Sequence, residues 1–238
     1  MIKNSLLVIF IIIILIGVSG CMSKTKEPTV KEQVEKYMKD KYNEEFKVLG
    51  GGTEGWNDSD EEIYVSSEKF PNARIMIKRG KKSGEMIDNY MDFLMKSKIE
   101  DLLNGIASKV YPKSKVFYST DESPLDGTSM QMSTDEYIRY CAKSFHLSLT
   151  ICVSDPEYKV NKNDKLEQLR LGFEEKQYNP TFSIIYVPDD KFAQVSESNL
   201  HDVENRYGDF TNWVLSKGVF YMDRTTYKLR SVDWEEAK

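Results

Sequence analysis

The chain has 238 residues, 40% of them hydrophobic and 30% charged, the proportions of a globular protein rather than a disordered or fibrous one. It carries 33 lysines and arginines against 38 aspartates and glutamates, a net charge of −5 that argues against nucleic acid as a partner and against general adhesion to an anionic bilayer. Three cysteines are too few for a disulfide scaffold, so the core has to come from hydrophobic burial, which a chain of this length can supply.

The first element is a leader. Residues 6–16 contain no polar side chain, and Lys3 precedes them. That apolar run is shorter than the roughly 20 residues a spanning helix needs, and it has the order of a secretory signal: basic start, apolar middle, small residues before a cleavage point. Val18-Ser19-Gly20-Cys21 closes it. This segment resembles the lipobox of bacterial lipoproteins. The resemblance implies cleavage between Gly20 and Cys21 and lipidation of Cys21, a diacylglyceryl group on its sulfur with palmitate among the acyl chains, so that Cys21 becomes the mature N-terminus. The mature chain would then sit on the extracytoplasmic face of the cell membrane. Two acyl chains give stable anchoring where one does not. The alternative is an ordinary signal peptide, or an uncleaved anchor, with a chance cysteine. Met22 stands where some two-membrane bacteria place an aspartate retention signal, so that signal is absent. The leader takes away only Lys3 among the charged residues, leaving the mature chain slightly more acidic. No second apolar run long enough to span follows it.

Residues 21–28 read as a lipidated tether, polar and ending at Pro28. Thr29 with Glu32 makes a capping box, and Val30, Val34, Tyr37 and Met38 share one face, which predicts a helix over 29–42. The stretch from Tyr37 to Phe46 is similar to the opening of many uncharacterised lipoproteins of Gram-positive bacteria, relatives that imply no reaction and no catalytic residues. A strand is expected at 46–49, a glycine-rich and then acidic loop at 50–61, and strands at 63–65 and 74–78 around a Phe70-Pro71-Asn72 turn. Helical spacing from Ile87 to Ile106 predicts a long helix over 85–109, and Val116 to Tyr118 a strand.

Residues 120–132 look like a connection, acidic with Pro124 and Gly127. Ser133 and Glu136 repeat the capping box before a short helix. Alternation from Phe145 to Val153 predicts a strand with Phe145, Leu147, Leu149, Ile151 and Val153 buried, and His146, Ser148, Thr150 and Cys152 on a polar or partly covered face. A helix over 164–177, a strand over 182–187 and a helix over 199–216 follow, with Gly218 as the helix stop. Residues 219–222 and 227–232 could pair as a hairpin. The pattern favours an α+β fold, with mixed α/β possible: amphipathic helices on a largely antiparallel or mixed sheet. It forms one continuous domain 29–238, or two similar halves, 29–119 and 133–238.

Chemistry-bearing constellations are few. His146 and His201 are the only histidines, and no ligand spacing surrounds them, so no metal and no cofactor is expected. Cys152 and His146 lie about 20 Å apart along a strand, too far for a nucleophile and its base. Cys141 and Cys152 could form a disulfide in an exported protein, or be simply buried. Gly80-Lys81-Lys82-Ser83 lacks the upstream glycine of a phosphate loop and reads as a basic turn with Ser83 as N-cap. The acidic run from Asn57 to Glu62 lacks the alternation of a calcium loop. Trp56, beside glycines, is a candidate contact residue or a core plug. No catalytic residue is assigned. These readings favour a non-enzymatic binding or interaction protein of the cell envelope, contacting an envelope protein or a wall polymer through Trp56 or the polar face of residues 146–152. The alternative is an envelope hydrolase using two carboxylates, which needs a cleft with two facing acids.

Overall fold

In the computed structural model, residues 27–51, 59–120, 124–230 and 233–237 are described. Gly20, Cys21 and Trp56 lie outside them. Helix α1 (Val30–Tyr42) has the expected capping box, Thr29 accepting from the Glu32 amide and Glu32 accepting from the Thr29 amide. It precedes a four-stranded antiparallel sheet, β1 (Phe46–Gly51), β2 (Asp60–Ser67), β3 (Ile75–Gly80) and β4 (Met86–Asp88), in chain order. Helix α2 (Tyr90–Val110) leads to a five-stranded mixed sheet. That sheet comprises β5 (Ser114–Tyr118), β6 (Ser148–Val153), β7 (Thr181–Tyr186), β8 (Ser216–Tyr221) and β9 (Trp234–Glu236). Helix α3 (Thr134–Lys143) stands between β5 and β6. The pair β6 and β7 is parallel and therefore needs a crossover, which α4 (Tyr158–Glu175) supplies. The short α5 (Asp189–Phe192), α6 (Glu197–Asn205) and a 3-10 turn (Gly208–Phe210) precede β8. The α+β class expected from the sequence is the class found.

One cluster of buried apolar side chains runs from Val34 and Met38 of α1, through Met95, Ile99 and Leu103 of α2, to Leu149, Ile151 and Ile184 of the second sheet. Positions 91, 95, 99 and 103 of α2 repeat every four residues and make the buried stripe. The helix approaches α4 closely at Gly172, where an added Cβ would lie 2.9 Å from Ile106 Cγ2. Two buried carboxylates open α2. Asp88 accepts from the Tyr37 hydroxyl (2.7 Å), the Tyr42 hydroxyl, Lys41 Nζ (2.8 Å) and the Tyr90 amide (2.9 Å). Asp92 accepts from the Tyr118 and Tyr137 hydroxyls, both at 2.7 Å. A buried carboxylate is tolerable only when it is satisfied in this way. The two acids tie α2 to α1 on one side and to β5 and α3 on the other.

Several elements depart from the sequence reading. Residues 86–88 are a strand, not the first turn of the long helix, because Met86, Ile87 and Asp88 pair with Arg79, Lys78 and Ile77. The basic turn at 80–83 therefore joins two strands, and Ser83 Oγ accepts from the Glu85 amide at 3.2 Å instead of capping a helix. Phe145 is not a buried strand residue. It takes φ 61 beyond the end of α3, where the His146 amide returns to Cys141 O at 2.9 Å, and it is exposed. The single helix expected over 199–216 is broken where Arg206 (φ 56) and Gly208 (φ 54) turn left-handed, and residue 216 already belongs to a strand. Gly218 is not a helix stop. It lies inside β8, where an added Cβ would fall 2.3 Å from the Phe220 ring and 2.9 Å from Trp234. Of the expected terminal hairpin the described residues retain one bridge, Met222 to Leu229, and β8 pairs instead with β9.

Candidate functional site

The two faces of the second sheet differ by the parity of its strands. Leu149, Ile151 and Val153 of β6 enter the main cluster, while Ser148, Thr150 and Cys152 face the other way. Register defines the rows on this outer face. One row runs Lys115, Cys152, Ile185, Lys217. The next runs Phe117, Thr150, Ser183, Val219, and the third Ser148, Thr181, Tyr221. The first row is covered: Cys152 and Ile185 join Val187, Val195, Val203 and Val214 in a second apolar cluster under α5 and α6. Lys115 clamps this cover by donating to the carbonyls of Phe192 (3.0 Å) and Val195 (2.7 Å). The next two rows are not fully covered, and a cleft of about 940 Å³ opens above them.

The floor of the cleft is made of hydroxyls. Thr150 Oγ1 donates to Glu204 Oε1 at 2.6 Å, and Ser183 Oγ lies 3.1 Å from the same oxygen and 3.2 Å from Thr150 Oγ1. Glu204 comes from α6, which forms one wall with Glu197, Leu200 and His201. The opposite wall is the 69–74 connection of β2 and β3, together with Phe93 and Lys96 of α2. Lys96 pairs with Glu197 across the cleft and lies 3.8 Å from Glu100. Burial pushes the Glu100 carboxyl above the usual range, against the pull of the Tyr118 amide and of Lys96. Lys217 Nζ donates to Glu204 O at 3.2 Å. Arg74 stacks 4.8 Å over the Tyr64 ring and donates to its hydroxyl at 2.7 Å, and its side chain is exposed.

Among the described residues, the two acids that line the cleft come from one helix. Glu197 and Glu204 line the same helix, about 10 Å apart along its axis at 1.5 Å per residue. They do not face one another across the cleft. One is held by Lys96 and the other accepts from two hydroxyls. Among the described residues no three His, Cys, Asp or Glu side chains converge to hold a metal ion. Among them, too, no helix is long and apolar enough to cross a membrane.

The residues singled out in the sequence fall in different places. His146 stands at the end of α3 with Nδ1 2.7 Å from Ser144 O, and His201 is exposed on the cleft wall. Of the polar strand face, Ser148 and Thr150 line the cleft, while Cys152 is fully buried. The disulfide considered for Cys141 and Cys152 is not formed. Both thiols are free, Cys141 in the main cluster and Cys152 in the second, on opposite sides of the sheet. Burial pushes each of them up to about 12. The sequence reading missed Ser183 and Glu204. A lone serine inside the apolar run of β7 was the available signal for Ser183, and Glu204 carried none.

No family model and no curated protein matches the chain. A solved structure of a DUF5037 family protein from Ruminococcus gnavus is similar over 86% of this chain and 95% of its own, at 12% identity and a TM-score of 0.43.

Proposed function

We propose that this protein is a lipid-anchored, extracytoplasmic binding protein of the cell envelope, and that the cleft over the second sheet is its ligand site. The observation that carries the reading is the cleft itself: its volume is that of a ligand pocket, and two strand rows beneath it keep hydroxyls where apolar side chains would let a helix close over them. The anchor rests on Val18-Ser19-Gly20-Cys21. Eight residue steps separate Cys21 from the helix cap Thr29, which limits the reach of the tether to about 28 Å. Gln33, in the first turns of α1, accepts from Arg79 at 3.0 Å, at the 60/80 end of the β2–β3 hairpin. The 69–74 end of that hairpin lines the cleft, about 20 Å further along the strands at 3.3 Å per residue. An anchor at Cys21 thus favours an orientation with the cleft away from the bilayer.

Two variants test this reading. Cys21→Ala should release the protein from membranes or leave an uncut precursor. Unchanged mature mass with unchanged membrane retention removes the anchor. Val219→Trp fills the open edge of the cleft from a surface position. Material crosslinked to the wild type on intact cells should be missing from this variant at equal membrane abundance. Identical capture removes the cleft as the binding site.

A further inference from the structure

The cleft differs in charge from the molecule that carries it. The chain as a whole has a net charge of −5. The residues lining the cleft include Lys69, Arg74, Lys96 and Lys217 against Glu197 and Glu204; Lys96 is paired with Glu197 and Glu100 and Lys69 with Glu44, so the excess of positive charge is carried by Arg74 and Lys217. Two of these cations, Lys69 and Arg74, are exposed at the tip of the β2–β3 connection, and Lys69 Nζ is 3.9 Å from its nearest carboxylate, Glu44. Cations gathered in a concave site on an acidic protein concentrate field lines there and select anions. The floor supplies the second element of recognition. Thr150 and Ser183 are neighbours across a parallel pair, as are Ser148 and Thr181. Thr150 and the buried Ser183 spend their protons on Glu204, so Thr150 offers lone pairs, while the half-buried Ser148 and Thr181 hydroxyls both donate and accept, which together match the hydroxyls of a sugar or polyol. Phe93 stands half-buried at the wall and Phe117 half-buried in the row beneath, and both offer aromatic surface to the apolar face of such a unit.

Building on the reading of the cleft as a ligand site, we propose that its ligand is an anionic, hydroxyl-rich chain: a sugar or polyol polymer bearing acid groups. The acid groups meet Arg74 and Lys69 at the mouth. The hydroxyls meet Ser148 and Thr181 and the lone pairs of Thr150, whose orientation Glu204 fixes. An acidic peptide would satisfy the cations and leave the hydroxyl rows without matched partners. A neutral sugar would do the reverse.

The test is titration calorimetry on the full-length lipidated protein in detergent. The probes are a hexamer of galacturonic acid, a glycerol phosphate oligomer, a neutral glucose hexamer and hexaglutamate. One or both anionic polyols should bind, and the tighter of the two names the acid group. Binding should weaken about tenfold on raising salt from low to several-fold physiological ionic strength, because the mouth cations are exposed to screening. Arg74→Gln should weaken it about fivefold to tenfold, as expected for one charge-assisted contact. Thr150→Val should weaken it by a similar factor with the salt dependence retained. Equal binding of the glucose hexamer or of hexaglutamate overturns the proposal, as does no binding by either anionic polyol. If the anionic polyols fail while Val219→Trp still loses its captured material on cells, the ligand class is wrong and the cleft remains the site. If Val219→Trp captures as the wild type does, both readings fall.

Discussion

The two faces of the second sheet are made by the same strands and end differently. The inner face is closed: Leu149, Ile151, Phe182, Ile184 and Phe220 are all under 5% exposed, and the phenols beside them are satisfied, Tyr118 by Asp92 and Tyr186 through Tyr111. The outer face is closed over one row only. Where the row is Cys152 and Ile185, the α5–α6 segment packs down on it, and where the rows become Thr150–Ser183 and Ser148–Thr181, the cover gives way to the cleft. The difference shows how one sheet separates stability from recognition. Apolar rows gain by exclusion of water, and hydroxyl rows lose by it unless a ligand or a carboxylate replaces the water.

The largest expected effect bears on the inner face. Burial raises the phenols of Tyr118, Tyr137 and Tyr186 well above their usual range, and for Tyr118 and Tyr137 the Asp92 carboxylate adds to it. A raised folded-state pKa means the folded protein binds the proton more tightly than the unfolded chain. The stabilisation is complete below the unfolded value near 10 and declines as pH rises above it, by about 1.4 kcal/mol per pH unit for each such phenol. Several together predict steep alkaline unfolding, with tyrosinate absorbance rising in step with loss of circular dichroism. Phenol titration that runs well ahead of unfolding would mean that the inner face is open.

Next in size is the covered row of the outer face. Ile185 is fully buried under the α5–α6 cover, so Ile185→Ala should cost about 2–5 kcal/mol. On the open rows Thr150→Val should cost no more than about 1–2 kcal/mol: it removes the bond to Glu204 and the one from Ser183, but Ser183 still reaches Glu204 and the side-chain volume is kept. Comparable losses in urea denaturation for the two variants would erase the distinction between the rows.

The smallest effect separates the two thiols. Both are pushed up to about 12, so neither should react with a thiol reagent near neutral pH in the folded state. Cys152 lies in a cluster of six buried residues beneath short helices, and Cys141 in the main core. Local opening of the α5–α6 cover should therefore expose Cys152 before Cys141. Mass spectrometry of slowly labelled protein checks the order, and simultaneous labelling would mean that the cover and the core open together.

Local signals in the sequence were sufficient for much of the fold. The capping boxes Thr29/Glu32 and Ser133/Glu136 placed two helix starts where the structure has them, and the parity of Leu149, Ile151 and Val153 placed the inner face of β6. The failures came where tertiary pairing outweighed local pattern. Residues 86–88 keep helical spacing with the helix that follows, and only β3 draws them into a strand. Arg206 has no sequence mark of its left-handed turn. The cleft was legible in part: Ser148 and Thr150 were on the correct face, but their row needs Thr181 and Ser183, which arrive through a parallel pairing across α4 that no local pattern encodes.

The most direct test of the cleft as the ligand site places a photo-crosslinking residue at Val219, on the open rows, and at Val160, which is 90% exposed on α4 and does not line the cleft. Both variants are irradiated on intact cells at equal membrane abundance. Specific adducts from Val219 and none from Val160 are the predicted result. Adducts of the same identity and yield from both positions, or from Val160 alone, would contradict it.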